Sequence, residues 1–170
     1  MPDPTGLELL SSVVKRRLGD DAVIATIHHR GHATIEVEPE HIGETLELLR
    51  NEGYRFLASV HGADEYPAEP RLAVHYELLD MARPDRVNVK LRVSTDAPIV
   101  ASVAPAWHTA DHKEREIYDL LGVIFEGHPD LRRILMPEDY EGHPQRRDFP
   151  IGGEPVLFTH HEAEGEHYPR

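Results

Sequence analysis

The hydrophobic positions near the N-terminus recur first at helical and then at strand spacing. A helix is predicted where one face is formed by Leu7, Leu10, Val14 and Leu18. Gly19 stands where this helix is expected to end. Residues 22–28 then favour a strand, Arg30-Gly31 a hairpin turn, and residues 33–37 the alternating return strand.

The next stretch repeats this order of elements. Ile42, Leu46 and Leu49 predict a second helix, and Gly53 is its expected C-terminal stop. Three strands follow, at residues 56–60, 72–79 and 87–93, and the last of them alternates with period two. Helix, two strands, helix and three strands predict an α+β fold with an antiparallel sheet and helices on one face.

Residues 104–121 carry a third helical pattern. Its predicted apolar face consists of Ala106, Ala110, Ile117 and Leu121. Its predicted polar face consists of His108, Asp111, His112, Arg115, Glu116 and Asp119. Glu114 falls within the apolar face, where a charged side chain is unusual.

The chain changes character at Gly122. Five prolines between residues 129 and 155 interrupt any regular element, yet large apolar residues continue. We therefore predict an α+β domain over residues 1–121, followed by an extended, irregular C-terminal segment over residues 122–170, called the strap below. A strap of this kind needs a surface to lie on, either a partner protein or its own domain. We expect it to contribute more to assembly with partners than to folding.

Charge and composition narrow the possible functions. The net charge of −13 argues against binding nucleic acid or an anionic membrane surface. The chain has no cysteine, so it cannot hold an iron–sulfur cluster on its own thiolates. The N-terminus does not resemble a signal peptide, and no apolar run is long enough for direct membrane insertion.

One set of residues has metal-ligand spacing. His108, His112 and Glu116 are separated by four residues each, which would align two imidazoles and a carboxylate on one helix face. The alternative interpretation is an exposed polar face, which the same spacing also produces.

The charges around Glu114 have three interpretations. The cluster of Glu114, Arg115 and Glu116 with Asp119 can supply a general acid–base pair. Asp111 and Glu114 have the spacing of a helix-capping box. Glu114 can also join an ion-pair network with Arg132 and Arg133.

Two arginine pairs stand out in this acidic chain. Arg132-Arg133 and Arg146-Arg147 can each bind carboxylates through bidentate hydrogen bonds. The carboxylates can belong to the chain's own Glu114, Glu116 or Asp119, or to a partner. Both interpretations remain open at this point.

Residues 98–150, about a third of the chain, resemble the C-subunit family of bacterial NADH:quinone oxidoreductase, the respiratory complex I. The run EREIYDLLGVIFEGHPDLRRIL at 114–135 is similar to the family pattern E-R-E-x-x-D-x-x-G-I-x-F-x-G-H-P-D-L-R-R-I-L. RRDFP at 146–150 resembles its continuation, with Arg147 where Lys is usual. The residues that carry the resemblance, and that we assign to partner docking, are Glu114, Arg115, Glu116, Asp119, Gly122, Phe125, Gly127, His128, Pro129, Asp130, Leu131, Arg132, Arg133, Pro144, Arg146, Arg147, Asp148, Phe149 and Pro150.

The resemblance implies a non-catalytic structural subunit of the hydrophilic arm, with no catalytic, cofactor-binding or metal-ligating residue of its own. It implies that NADH, FMN, iron–sulfur clusters and a quinone are used on other subunits. The expected partners are chiefly the D subunit, then the B and I subunits. The expected location is peripheral, on the cytoplasmic side of the cell membrane.

Two alternatives differ in function. The first is the equivalent subunit of a complex I-like membrane-bound [NiFe]-hydrogenase or of another donor-dependent quinone reductase. The second is a free-standing metalloenzyme that uses His108, His112 and Glu116.

Overall fold

The computed structural model describes residues 3–83 and 85–150. Helix α1 spans Pro4–Leu18, and its N-terminus is capped by Asp3, whose carboxylate accepts a hydrogen bond from the Gly6 amide at 2.7 Å. The helix ends at Gly19, whose φ of 109° suits only glycine. The predicted first helix and its glycine stop are therefore confirmed.

The first hairpin and the second helix also follow the prediction. Strands β1 (Val23–His29) and β2 (His32–Val37) pair antiparallel across the Arg30-Gly31 turn. Both turn residues have positive φ, 49° and 78°, which matches the right-handed twist of a hairpin. Helix α2 spans Ile42–Asn51 and is followed by Gly53 with a φ of 113°.

Three long strands complete the main sheet. They are β3 (Phe56–Asp64), β4 (Leu72–Asp80) and β5 (Asp85–Val93), and the strand order is β1-β2-β5-β4-β3. The α+β class is confirmed. The sheet is mixed rather than wholly antiparallel, because β2 and β5 pair in parallel, with Ile35 opposite Val89.

The parallel pair follows from the chain path. Helix α2 carries the chain back across the sheet, so β3 runs in the same direction as β2. Two antiparallel reversals, β3 to β4 and β4 to β5, then leave β5 parallel to β2 and beside it. The sequence pattern shows where strands lie but not which strands become neighbours.

Only one face of the main sheet is buried. Ile35, Tyr76 and Val89 lie in one row across three strands and are fully buried. The three helices contribute to the same core, through residues that include Leu7, Val14, Leu46, Leu49, Ile117 and Leu121. The opposite face carries polar side chains, among them His61, His75, Lys90 and Glu36. Helices on one face, as predicted, account for this division.

The third helix is shorter than predicted. Helix α3 spans Ala110–Leu121, whereas the sequence predicted a start at residue 104. Residues 103–109 form turns instead, in which the Trp107 amide bonds the Val103 carbonyl at 2.9 Å. Ala106, predicted on the buried face, is exposed, and Trp107 is buried. Val103, Ala104 and Trp107 are the residues of these turns that meet the core, so the helical spacing assigned to Ala106 did not describe them.

A second, small sheet was not predicted. Strand β6 (Ile99–Ala101) pairs in parallel with β7 (Ile124–Glu126). The strap therefore begins with a strand, and Val123 and Phe125 lie in the core. Three-residue strands are too short to produce a readable alternation. Within the described ranges, no helix has the length and apolar character needed to span a membrane. Strap residues 151–170 lie outside the described residues.

Candidate docking interface

Glu114 binds the turn that precedes helix α3. Its side chain is fully buried, its Oε2 accepts a hydrogen bond from Ser102 Oγ at 2.6 Å, and its Oε1 accepts one from the Val103 amide at 2.8 Å. Burial raises the pKa of Glu114, and its two hydrogen bonds oppose that rise. Burial was predicted correctly, but neither proposed partner set was: Arg132, Arg133 and a capping box with Asp111 do not hold this carboxylate.

His128 of the strap lies against the same carboxylate. Its imidazole is fully buried, with Nε2 3.9 Å from Glu114 Oε2. Nδ1 accepts a hydrogen bond from the Asp130 amide at 3.0 Å, so in the neutral ring Nε2 carries the proton. Nε2 then donates to the Asp111 carbonyl at 3.2 Å. His128 thus fixes the first turn of the strap beside the start of α3.

Asp119 joins helix α3 to the strap through several contacts. Its Oδ2 accepts hydrogen bonds from three consecutive strap amides, Ile134 at 3.0 Å, Leu135 at 2.7 Å and Met136 at 2.8 Å. Its Oδ1 lies 2.7 Å from Arg133 Nη1. The side chain is fully buried, which corrects its predicted place on the polar helix face. The strap covers this side of the helix, which a helical wheel alone does not show.

The electrostatics of Asp119 follow from these contacts. Burial acts to raise the pKa of its carboxyl group, but the strap amides and the Arg133 guanidinium outweigh burial and lower the pKa to about 2. Asp119 is therefore ionised at neutral pH, and both of its carboxylate oxygens accept hydrogen bonds from the strap.

The arginine pairs are largely committed to internal contacts. Arg133 also donates to the Gly142 carbonyl at 2.9 Å, and Arg146 donates from Nε to the Leu121 carbonyl at 2.7 Å. Arg115 of α3 donates to the Arg132 carbonyl at 3.2 Å. Arg132 pairs only with Asp130 among the described residues, and both side chains are exposed. The internal-clamp interpretation is correct for Arg133, through Asp119.

Gly122 allows the strap to turn closely over the end of α3. It adopts φ +78°, and a Cβ atom there would lie 2.5 Å from the His143 ring and 2.6 Å from Arg146 Nη2. His143 donates from Nδ1 to the Asp119 carbonyl at 3.0 Å. Two independent reasons therefore favour glycine at this position: its left-handed backbone conformation, and the lack of space for a side chain beside His143 and Arg146.

Arg71, which the sequence reasoning did not single out, holds the far end of the strap. Its buried guanidinium bonds Asp64 on β3, with Nε 2.9 Å from Oδ1. It also bonds Asp148 of the strap, with Nη2 2.9 Å from Oδ1. Hydrogen bonds from Arg71 are the largest influence on the pKa of Asp64, which falls to about 2. A lone arginine before a strand is a weak sequence signal, because its partners are 7 and 77 residues away.

A minority of the assigned docking residues face outward. Leu131 and Phe149 are half-buried, and Phe149 stacks on Tyr140 with ring centroids 6.2 Å apart. The exposed members of the set are Gly127, Pro129, Asp130, Arg132, Arg147, Asp148 and Pro150. All of these exposed residues lie on the strap. Apart from Asp148, which bonds Arg71, they are the part of the set that remains available to a partner.

The candidate metal ligands are not brought together. His108 lies in the turns before α3, so it does not share a helix face with His112 and Glu116. Glu116 instead pairs with Lys113, with 3.0 Å between Oε2 and Nζ. Across the described part of the chain, no three His, Cys, Asp or Glu side chains are grouped closely enough to hold a metal ion.

Comparisons with known proteins agree on one family. The sequence profile described as "Respiratory-chain NADH dehydrogenase, 30 Kd subunit" matches residues 35–155. A protein from Roseiflexus castenholzii, named as the C subunit of NADH-quinone oxidoreductase, is 40% identical over 94% of this chain and 90% of its own length. A protein with the same name from Salinispora tropica is 43% identical over 81% of this chain but only 58% of its own length.

Two solved structures have a similar fold. A trypsin-resistant fragment of Nqo5, residues 1–134, superposes with a TM-score of 0.64 at 29% identity, and the match covers 74% of this chain and 98% of that fragment. A chain of the membrane-bound sulfane sulfur reductase, an archaeal respiratory membrane complex, superposes with a TM-score of 0.70 over 86% of each chain. At 20% identity, this second match reports the fold alone.

Proposed function

The chain belongs to the family of the respiratory-chain NADH dehydrogenase 30-kDa subunit, and on this premise we propose that it is a non-catalytic structural subunit of a proton-translocating NADH:quinone oxidoreductase. In this role it braces the subunits that carry the iron–sulfur clusters and the quinone site while electrons pass from NADH to quinone. The observation that carries the proposal is the 40% identity to a named C subunit over 94% of the chain.

The use of the charged residues supports a structural role. Glu114 and Asp119 are buried carboxylates of a kind often found in active sites. Here Glu114 accepts a hydrogen bond from the turn before α3. Asp119 accepts hydrogen bonds from three strap amides and one guanidinium. A chain without cysteine also supplies no thiolate to a cluster. The family's cofactors, NADH, FMN, iron–sulfur clusters and a quinone, are accordingly assigned to other subunits.

The exposed part of the strap is the proposed surface for those subunits. Arg132 has a side chain 63% exposed and Arg147 is exposed as well, so their guanidinium groups are accessible to carboxylates of a partner. The proposed partners are chiefly the D subunit, then the B and I subunits. The chain is held through them at the cytoplasmic side of the membrane.

Copurification tests this function. A tagged full-length chain, expressed in its own cells, is expected to recover the other subunits of the complex together with NADH:quinone reductase activity. Recovery of the chain without any other respiratory subunit would overturn the proposal. The isolated chain is expected to show no redox activity and no visible absorption band.

The strap surface is tested by a substitution in that same complex. Arg132→Ala is expected to lower the recovery of partner subunits several-fold, because it removes an exposed cation without touching the Asp119 contacts. Arg86→Ala, at an exposed arginine of β5, is the matched control and should leave recovery unchanged. Equal recovery of partner subunits with both variants would show that Arg132 is not part of the interface.

A second candidate function comes from the same family resemblance. In that case the chain is the equivalent subunit of a complex I-like membrane-bound [NiFe]-hydrogenase or another donor-dependent reductase. The identity of the electron-input subunits in the copurified complex separates the two. The relatives named for NADH-quinone oxidoreductase favour the first candidate.

A further inference from the structure

The two-stranded sheet has one buried and one open face. On the buried face, Val100 and Phe125 lie in the core and are 2% and 1% exposed. On the open face, Ile99 and Ile124 are register partners across the parallel pair and are 51% and 43% exposed. The ribbon formed by β6 and β7 therefore presents two neighbouring aliphatic side chains to solvent.

This arrangement is unusual for a free surface. Parallel strands are normally covered on both faces, and their side chains are apolar on both for that reason. A two-stranded sheet is also marginal alone, and each strand of the ribbon has an edge without a strand partner among the described residues. The open face of the main sheet, by contrast, is mainly polar, with a few exposed apolar side chains such as Ile27 and Phe56. The ribbon has the composition of a covered sheet.

An acidic groove runs along the ribbon. It has a volume of about 390 Å³ and lies between β6 and the turn at residues 38–40. Its lining includes Glu38, Glu40 and Glu126, and within the described ranges none of these carboxylates has an ion-pair partner. Apolar side chains beside unpaired carboxylates favour a ligand that is both aliphatic and cationic.

We propose that the β6–β7 ribbon and its acidic groove are a docking site for a segment of another subunit that carries aliphatic and Lys or Arg side chains. The inference rests on the proposed function and identifies a surface that does not include the exposed arginines Arg132 and Arg147. The aliphatic side chains of the segment cover Ile99 and Ile124. Its cations pair with the three glutamates.

Charge argues against two other occupants. A second copy of this chain would bring another net charge of −13 to an acidic groove. The chain's own residues 151–170 contain four glutamates and one arginine, so they too are repelled on average. A basic segment of a different chain is the occupant that complements the groove.

The apolar half of the proposal is tested in the intact complex. The double variant Ile99→Ser/Ile124→Ser in the tagged full chain is expected to reduce recovery of at least one neighbouring subunit about tenfold. Ile24→Ser/Ile27→Ser is the matched control, since these β1 isoleucines are 53% and 42% exposed. Equal recovery from the two variants, with equal thermal melting of the purified chains, would overturn the proposal.

The acidic half predicts a change in salt dependence. Replacing Glu38, Glu40 and Glu126 by Gln should lower the amount of partner subunit recovered at low salt. It should also make that amount less sensitive to added salt. The control replaces Glu44, Glu47 and Glu52, exposed on and after α2, by Gln. The same salt profile for both triple variants would show that the groove does not bind cations.

A cross-link identifies the occupant without relying on destabilised variants. A photoreactive residue at position 124, in the complex, is expected to form an adduct with a Lys- or Arg-containing peptide of a subunit that also copurifies with the wild-type chain. An adduct with a second copy, with residues 151–170 or with nothing would overturn the docking site. Failure of the proposed function is distinguishable, because the wild-type chain would then recover no respiratory subunit at all.

Discussion

Arg133 of the strap and Asp119 of helix α3 lie 2.7 Å apart, in a contact where the carboxylate is fully buried and the guanidinium nearly so. The same carboxylate receives three consecutive strap amides. A buried charge bound in this way is costly to disturb, since removing one partner leaves the others without compensation. This contact fixes the strap on the domain.

Asp119→Asn is expected to lower the free energy of unfolding by about 3 kcal/mol, because an amide NH₂ replaces an oxygen that faces hydrogen-bond donors. Urea unfolding of the full chain measures the loss. Glu116→Gln, at a partly exposed carboxylate paired with Lys113, is the control and should change little. Comparable losses in both would mean that the strap amides do not depend on Asp119.

Glu114→Ala is expected to cost about 1–3 kcal/mol, because it leaves the Ser102 hydroxyl and the Val103 amide without their acceptor. Glu116→Ala should cost under about 0.5 kcal/mol. Thermal melts of the two variants provide the comparison. Equal and negligible losses in the two variants would contradict the observed orientation of α3.

The stability of the chain should fall in strong acid. The folded pKa values of Asp119 and Asp64 are about 2, below their ordinary value of 3.8. Their stabilisation is therefore complete above about pH 4 and is lost as the pH falls from 4 to 2. Urea midpoints across this range measure the loss, and Asp119→Asn should reduce the slope. An unchanged midpoint down to pH 2 would contradict the ion pairs.

Gly122→Ala is expected to destabilise the chain by about 2–4 kcal/mol, because it adds a strained left-handed residue and a clash with His143 and Arg146. Gly127→Ala is the matched control. Gly127 has a similar φ of +84° but open space around it, so only the strain of about 1–2 kcal/mol is expected. Equal costs would show that His143 and Arg146 move aside freely.

A chain that ends at Gly127 should melt well below the full chain. It loses Arg133 and the three amides, so Asp119 is left buried without its partners. This reverses the expectation, drawn from composition, that the strap serves assembly more than folding. A chain that ends at Pro150 keeps all of these contacts and is the control. Calorimetric melting of both decides the point, and equal melting temperatures would restore the original expectation.

The sequence by itself determined the α+β class and most of the elements. Helical spacing from Leu7 to Leu18, the glycine stops at 19 and 53 and the Arg30-Gly31 turn are local signals, and local backbone geometry obeys them. The run from Glu114 to Leu135 identified the family, because many residue types recur there at fixed spacing. Burial of Glu114 was also readable, since it interrupted an apolar face.

Tertiary structure alone decided which residues meet. The parallel pairing of β2 with β5 depends on the path of the chain over the whole sheet. Asp119 became buried because residues 133–136, remote in sequence, fold over it, and Arg71 bonds Asp148 across 77 positions. The strands of the ribbon, three residues each, are too short for periodicity. Such contacts depend on packing between residues that are distant in sequence. A periodic pattern within one segment carries no information about that packing.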